Sequence, residues 1–146
     1  MSTNASQGMP SDLDGSVAKA MGLTDGLVVQ EIGYDQDVDF DLRDSIEDAI
    51  GAEMADEDWD DVTDVALIWW REGDGDLTDT IVDALSPLEE DGLVWLLTPK
   101  QGRPGYVESS DVAEAASIAG LHAAKTVSVG KDWVATRLDS PARRKR

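Results

Sequence analysis

The sequence predicts an α/β domain built on an open, mainly parallel sheet of about five strands, with an antiparallel hairpin at its C-terminal end. Three observations carry this. The unbroken apolar runs at 65–70 and 93–97 have the length of strands buried on both faces. Segments with apolar residues at helical spacing lie between and beside them. Near the end, Gly130-Lys131-Asp132 separates two strand-like stretches, which is a hairpin signal.

Each element follows in order. Residues 1–15 are rich in Ser, Asn, Gln, Gly, Pro and Asp without apolar periodicity, and read as a disordered leader. Ser16 is placed to cap a short helix carrying Val17, Ala20 and Met21, with Gly22 as its stop. Residues 27–32 form a first strand. After Gly33 and an acidic stretch, Leu42, Ile46, Ala49 and Ile50 recur as one face of a helix that Gly51 ends. Residues 53–64 are too acidic for a core, although Met54 and Trp59 offer anchors, and the buried strand 65–70 follows. Asp76 or Thr78 caps a helix carrying Leu77, Ile81, Val82 and Leu85; Pro87 and Glu89-Glu90-Asp91 lead to the strand 93–97. Beyond the loop 99–105, Ser110 or Asp111 opens a helix with Val112, Ala115, Ala116 and Ala119 inward and Gly120 as its stop. Residues 126–129 and 133–138 make the hairpin, and 140–146 read as a disordered basic tail. The organisation is a single domain over 16–139, of Rossmann-like type.

Length and composition restrict the function classes. A chain of 146 residues supports one core. With 41% hydrophobic positions it is too apolar to be wholly disordered despite a formal charge of −19. The absence of cysteine excludes disulfides, thiolate nucleophiles and cysteine-ligated metal sites, and fits a cytoplasmic protein. No apolar run approaches the ~20 residues of a membrane span, and the N-terminal region carries no secretion pattern. Charge is unevenly distributed: 23 acids face two bases over 31–91, and five acids face nine bases over 92–146. Phosphate repulsion therefore disfavours nucleic-acid binding over the main body, leaving only Arg143-Arg144-Lys145-Arg146 as phosphate contacts.

Two family resemblances follow from particular segments. The order of elements from Ala66 onward, the segment Asp91-Gly92-Leu93-Val94-Trp95 and the phrase Ala115-Ala116-Ser117-Ile118-Ala119-Gly120-Leu121 before a closing hairpin resemble the second half of a class I methyltransferase fold. The wider span from Val17 to Leu138 is similar to an uncharacterised actinobacterial family, domain of unknown function number 3052. The segments at 66–70, 95–100 and 132–138 carry that similarity, which implies no activity. The methyltransferase likeness implies a glycine-rich cofactor turn after the first strand. Glu31 and Gly33 match its opening acid and first glycine, but Asp35 stands where a further glycine is needed. The 32 residues between Ile32 and Val65 also leave no room for the next two strands, whose acids hold the cofactor in that family. The resemblance therefore implies a shortened scaffold without S-adenosylmethionine binding, and no cofactor is assigned.

No catalytic residue or metal ligand is assigned either. Asp35, Asp37, Asp39 and Asp41 resemble the start of a calcium loop, but, counted from Asp37, glycine is missing at its sixth position and Asp48 rather than glutamate stands at its twelfth. The alternative is a solvated run before a helix N-terminus that favours negative charge. His122, the only histidine, falls at the sheet edge opposite to the one where ligands bind in open parallel sheets. At that ligand-binding carboxyl edge, Glu31, Tyr34, Arg71, Lys100 and Arg103 are candidates for holding a small anionic or polar ligand, against ordinary glycine-rich connections. Asp56, Glu57, Asp58, Trp59, Asp60 and Asp61 are candidates for receiving a basic protein partner. The expected function is a non-enzymatic binding or regulatory module; the alternative is a small-ligand-binding protein or enzyme acting through the carboxyl-edge loops. The oligomeric state is not legible.

Overall fold

The protein is described by a computed structural model covering residues 16–140. The expected leader at 1–15 and residues 141–146 of the expected tail lie outside these described residues. In chain order the elements are α1 (Ser16–Ala20), β1 (Val29–Ile32), α2 (Phe40–Ile50), β2 (Thr63–Trp69), α3 (Leu77–Leu85), β3 (Leu88–Pro99), α4 (Ser109–Ile118), β4 (His122–Val129) and β5 (Trp133–Asp139).

The five strands form one sheet in the order β1-β2-β3-β5-β4. The first three are parallel, with Val29 opposite Val65 and Ala66 opposite Val94. β5 inserts antiparallel between β3 and β4. The expected open sheet with a closing hairpin is therefore present.

Alternate side chains of the central strands serve two cores, as the pleat requires. On one face Val65, Leu67, Trp69, Trp95 and Leu97 pack with α1, the turn after it and α2 through Ala18, Met21, Leu42 and Ile46. On the other, Ala66, Ile68, Val94 and Leu96 pack with α3 and α4 through Ile81, Ala84, Val112 and Ala116. Burial on both faces explains the continuous apolar runs. Trp95 also donates its indole N–H to the Met21 carbonyl at 2.8 Å, which satisfies a polar atom inside the core.

Local chemistry sets the helix ends. The Asp39 carboxylate accepts from the Leu42 N–H at 2.9 Å and caps α2, whose C-terminus closes on Gly51 at φ 79°. Asp76, rather than Thr78, caps α3 by accepting from Asp79. α4 departs from expectation: it begins at Ser109, and Glu108 sits in the cap position with no side-chain cap bond. The hairpin strands are longer than expected because Ala123 and Lys125 find partners on β5 at Leu138 and Arg137. β3 likewise starts early, since the Thr63 N–H donates to the Pro87 carbonyl and Thr63 pairs with Leu88.

Candidate functional site

The carboxyl ends of β1, β2 and β3 bring together the loops that follow Ile32, Trp69 and Pro99, and the hairpin turn at 130–132 joins them. Gly33 leaves β1 at φ 82°, and a Cβ there would lie 2.2 Å from the Trp69 carbonyl oxygen. The two strand ends are thus packed backbone to backbone. Gly130 is similarly placed, because a Cβ would meet an Asp39 carboxylate oxygen at 2.3 Å.

The five residues expected here do converge on this edge, but most of their charge is engaged within the chain. Glu31 is 6% exposed and forms a two-pronged ion pair with Arg43, at 2.7 and 2.8 Å. Its Oε2 also accepts from the Trp69 indole N–H at 2.9 Å. The hydrogen bond to Glu31 outweighs partial burial and raises the Arg43 pKa above the ordinary value.

Arg71 grips Asp37 through two nitrogens at 3.0 and 2.6 Å, donates to the Gly33 carbonyl at 2.8 Å and pairs with Asp74 at 3.3 Å. Burial alone would lower its pKa, but the hydrogen bond and charge of Asp37, followed by those of Asp74, leave it raised. Lys100 donates to the Gly130 carbonyl at 2.9 Å, and Arg103 pairs with Asp132 at 3.0 Å on the exposed rim. Tyr34, 50% exposed, packs edge-on against Phe40 with Arg43 over its ring.

Three carboxylates of the run resembling a calcium loop have separate tasks: Asp35 accepts from Gln36, Asp37 holds Arg71, and Asp39 caps α2. Among the described residues no group of three or more carboxylates or histidines gathers in a metal-holding arrangement. His122 stands opposite Asp139 at the amino edge.

The second candidate surface is the acidic loop at 56–61, which is anchored to the outer edge of β1. Ala55 forms a parallel bridge with Gln30, accepting from Glu31 and donating to Val29 at 2.8 Å each. The Gln30 side chain, 4% exposed, donates to the Asp56 carbonyl at 3.1 Å and the Trp59 carbonyl at 3.3 Å. Glu57 reaches the turn after β1 and accepts from the Gly33 N–H at 2.7 Å. Asp56 and Asp61 accept from the backbone of Asp58 and Val62, and the Trp59 indole donates to the Val62 carbonyl.

These bonds hold Trp59 at 40% exposure between two hollows. One, of about 340 Å³, includes Glu57 and Asp83; the shallower one, of about 750 Å³, includes Asp60, Asp61, Glu89 and Glu90. Pro87 borders both.

Sequence reasoning left out Gln30, Arg43, Asp37 and Asp132 as organisers of these surfaces. Gln30 had a usable signal, since it is an amide inside an apolar strand; Arg43 had another, as the single base among fifteen acids over 31–64. Asp37 and Asp132 gave none, because each meets a partner from a different strand end.

Comparisons with known proteins agree with this architecture. The model of the family described as "Protein of unknown function (DUF3052)" matches residues 18–142. Uncharacterized proteins of Mycobacterium tuberculosis and Mycobacterium bovis are each 50% identical over 127 residues, covering 87% of this chain and 80% of theirs.

Among solved structures, precorrin-6y C5,15-methyltransferase from Geobacter metallireducens superposes with a TM-score of 0.61 at 10% identity, over 89% of this chain and 88% of that one. A TehB-like SAM-dependent methyltransferase from Corynebacterium glutamicum gives 0.54 at 15%, over 88% and 87%. The mitomycin 7-O-methyltransferase MmcR gives 0.56 at 14%, over 88% of this chain, which spans only about half (53%) of that enzyme. At these identities the likeness establishes a methyltransferase-like fold and nothing about activity.

Proposed function

The chain belongs to the DUF3052 family, and we propose that it is a non-enzymatic binding or regulatory module. On this reading a shortened methyltransferase-like scaffold presents the acidic loop 56–61 to a basic protein partner in the cytoplasm. The observation that carries the reading is the pair of hydrogen bonds from the buried Gln30 amide to the Asp56 and Trp59 carbonyls. A loop that served only for solubility would not require a buried strand side chain to fix its shape.

Electrostatics supports the same assignment. Asp56, Glu57, Asp58, Asp60 and Asp61 lie within six residues and flank in sequence the exposed indole of Trp59, whose face attracts cations. Their field extends over about 8 Å at physiological salt and would steer a basic segment toward Trp59. The state of the carboxyl edge supports it too, since Glu31, Arg71 and Lys100 already hold partners inside the chain. No helix among the described residues is long and apolar enough to cross a membrane.

The reading is tested by titrating an arginine-rich peptide while following tryptophan fluorescence, with Trp59→Phe as the blank. A saturable change that disappears in Trp59→Phe and weakens with salt is expected. A response retained in Trp59→Phe would assign binding elsewhere.

A further inference from the structure

A separate cavity opens at the amino edge of the sheet, opposite the carboxyl-edge loops. It has a volume of about 250 Å³, and its apolar lining includes Leu85, Leu88, Leu93, Leu121 and Leu138. An irregularity in β3 creates it. Thr63 pairs with Leu88 but Val65 pairs with Leu93, so residues 89–92 lift out of the ladder. Such bulges re-aim side chains, and here the excursion folds Leu88 back as a wall.

Gly92 makes that fold possible: a Cβ there would stand 2.5 Å from both Cγ and Cδ1 of Leu88. The cavity thus depends on a glycine kept inside a strand, where glycine ordinarily weakens the structure.

The rim fixes the charge of an occupant. Arg137 and Asp139 neutralise each other in a two-pronged pair at 2.9 and 3.0 Å. Asp91 lines the cavity, and its carboxylate has no hydrogen-bond or ion-pair partner among the described residues. The cavity therefore joins an apolar lining to one unopposed negative charge, within a chain of formal charge −19. A buried apolar body beside an ammonium is the complement; a carboxylate-bearing ligand is repelled. An apolar cavity of ~150 Å³ holds benzene, so this volume suits a body of about eight to ten non-hydrogen atoms.

The geometry points to a binding site for a small apolar amine, with the hydrocarbon over Leu93 and Leu121 and the ammonium at Asp91. It stands independently of the partner surface around Trp59. Three near-isosteric probes test it by calorimetry and by amide shifts in NMR spectra: 2-phenylethylammonium, 2-phenylethanol and phenylacetate. The ammonium is expected to bind one-to-one below about 1 mM, shifting amides at Leu93, Leu121 and Ser140, with phenylacetate at least about tenfold weaker and the alcohol between them. In Asp91→Asn the ammonium and phenylacetate should come within about threefold of each other. Leu121→Trp, which fills the cavity, should abolish binding while unfolding stays cooperative; if that variant does not fold, the amide map of the native protein decides the location. The proposal is overturned by any of four results: no saturation by 10 mM ammonium, phenylacetate binding as tightly, shifts confined to another surface, or full discrimination retained in Asp91→Asn.

Discussion

Glu31 and Arg43 form a two-pronged ion pair, at 2.7 and 2.8 Å, that ties the end of β1 to the first turns of α2. The Trp69 indole adds a third bond to the same carboxylate. Replacing Arg43 with leucine leaves a buried carboxylate without its counter-charge, and should cost about 3 kcal/mol in urea denaturation. Removing both charges, as Glu31→Gln with Arg43→Leu, should restore about half of that loss or more. Because the Arg43 pKa is raised, its contribution is fully present through neutral and mildly alkaline pH and is lost on the alkaline side only as pH rises through the raised arginine value. The cost of Arg43→Leu should therefore be the same at pH values of about 6.5 and 9.

Gly33 and Gly102 separate two causes of glycine dependence. Both have positive φ, 82° and 88°, but a Cβ at Gly33 meets the Trp69 carbonyl, whereas one at Gly102 meets nothing within 4 Å. Gly102→Ala should cost about 1 kcal/mol from backbone conformation alone. Gly33→Ala should cost at least about 3 kcal/mol, because β1 and β2 must also move apart. Equal melting temperatures for the two variants would show that the strand ends are not packed as described.

Trp59 differs from the other four tryptophans, since Trp69, Trp70, Trp95 and Trp133 are buried. Acrylamide should quench mainly Trp59, and Trp59→Phe should remove most of the quenchable emission while changing stability by less than about 1 kcal/mol. Strong quenching in the variant would mean that one of the core indoles is accessible.

Much of the scaffold was legible because its signals are local. Leu42, Ile46 and Ile50 repeat at helical spacing and Gly51 terminates them, so α2 emerges from periodicity and cap chemistry. The apolar strands β2 and β3 are recognisable because both their faces are covered. What escaped depends on pairing at a distance. The bridge of Ala55 to Gln30 covers the free edge of β1, yet nothing in the acidic run announces a strand partner. β3 takes in Glu89, Glu90 and Asp91 because Leu88 pairs with Thr63 across the excursion, which overrides local propensity. The candidate ligand residues were placed on one edge correctly by topology. Their engagement by partners elsewhere in the chain was not legible, since Arg71 meets Asp37 across 34 positions.

The turn after β1 leads to a prediction about the methyltransferase cofactor. Gly33 donates its N–H to Glu57 at 2.7 Å, and Arg71 holds its carbonyl at 2.8 Å. Asp35 stands where the methyltransferase resemblance calls for a further glycine. Calorimetry with S-adenosylmethionine should show no specific heat, and one-to-one micromolar binding would overturn the reading of a scaffold without cofactor binding.

If the acidic loop 56–61 receives a basic partner, neutralising its charge should abolish that binding. Asp56, Asp58, Asp60 and Asp61 changed to asparagine, with Glu57 changed to glutamine, remove five charges while keeping side-chain size and the acceptor that Glu57 offers Gly33. Captured proteins would be identified quantitatively for the native and neutralised chains, at physiological and about 0.5 M salt. Basic proteins are expected that bind the native chain, are released by salt, and are absent from the neutralised chain. An unchanged set of captured proteins would contradict a partner surface at this loop.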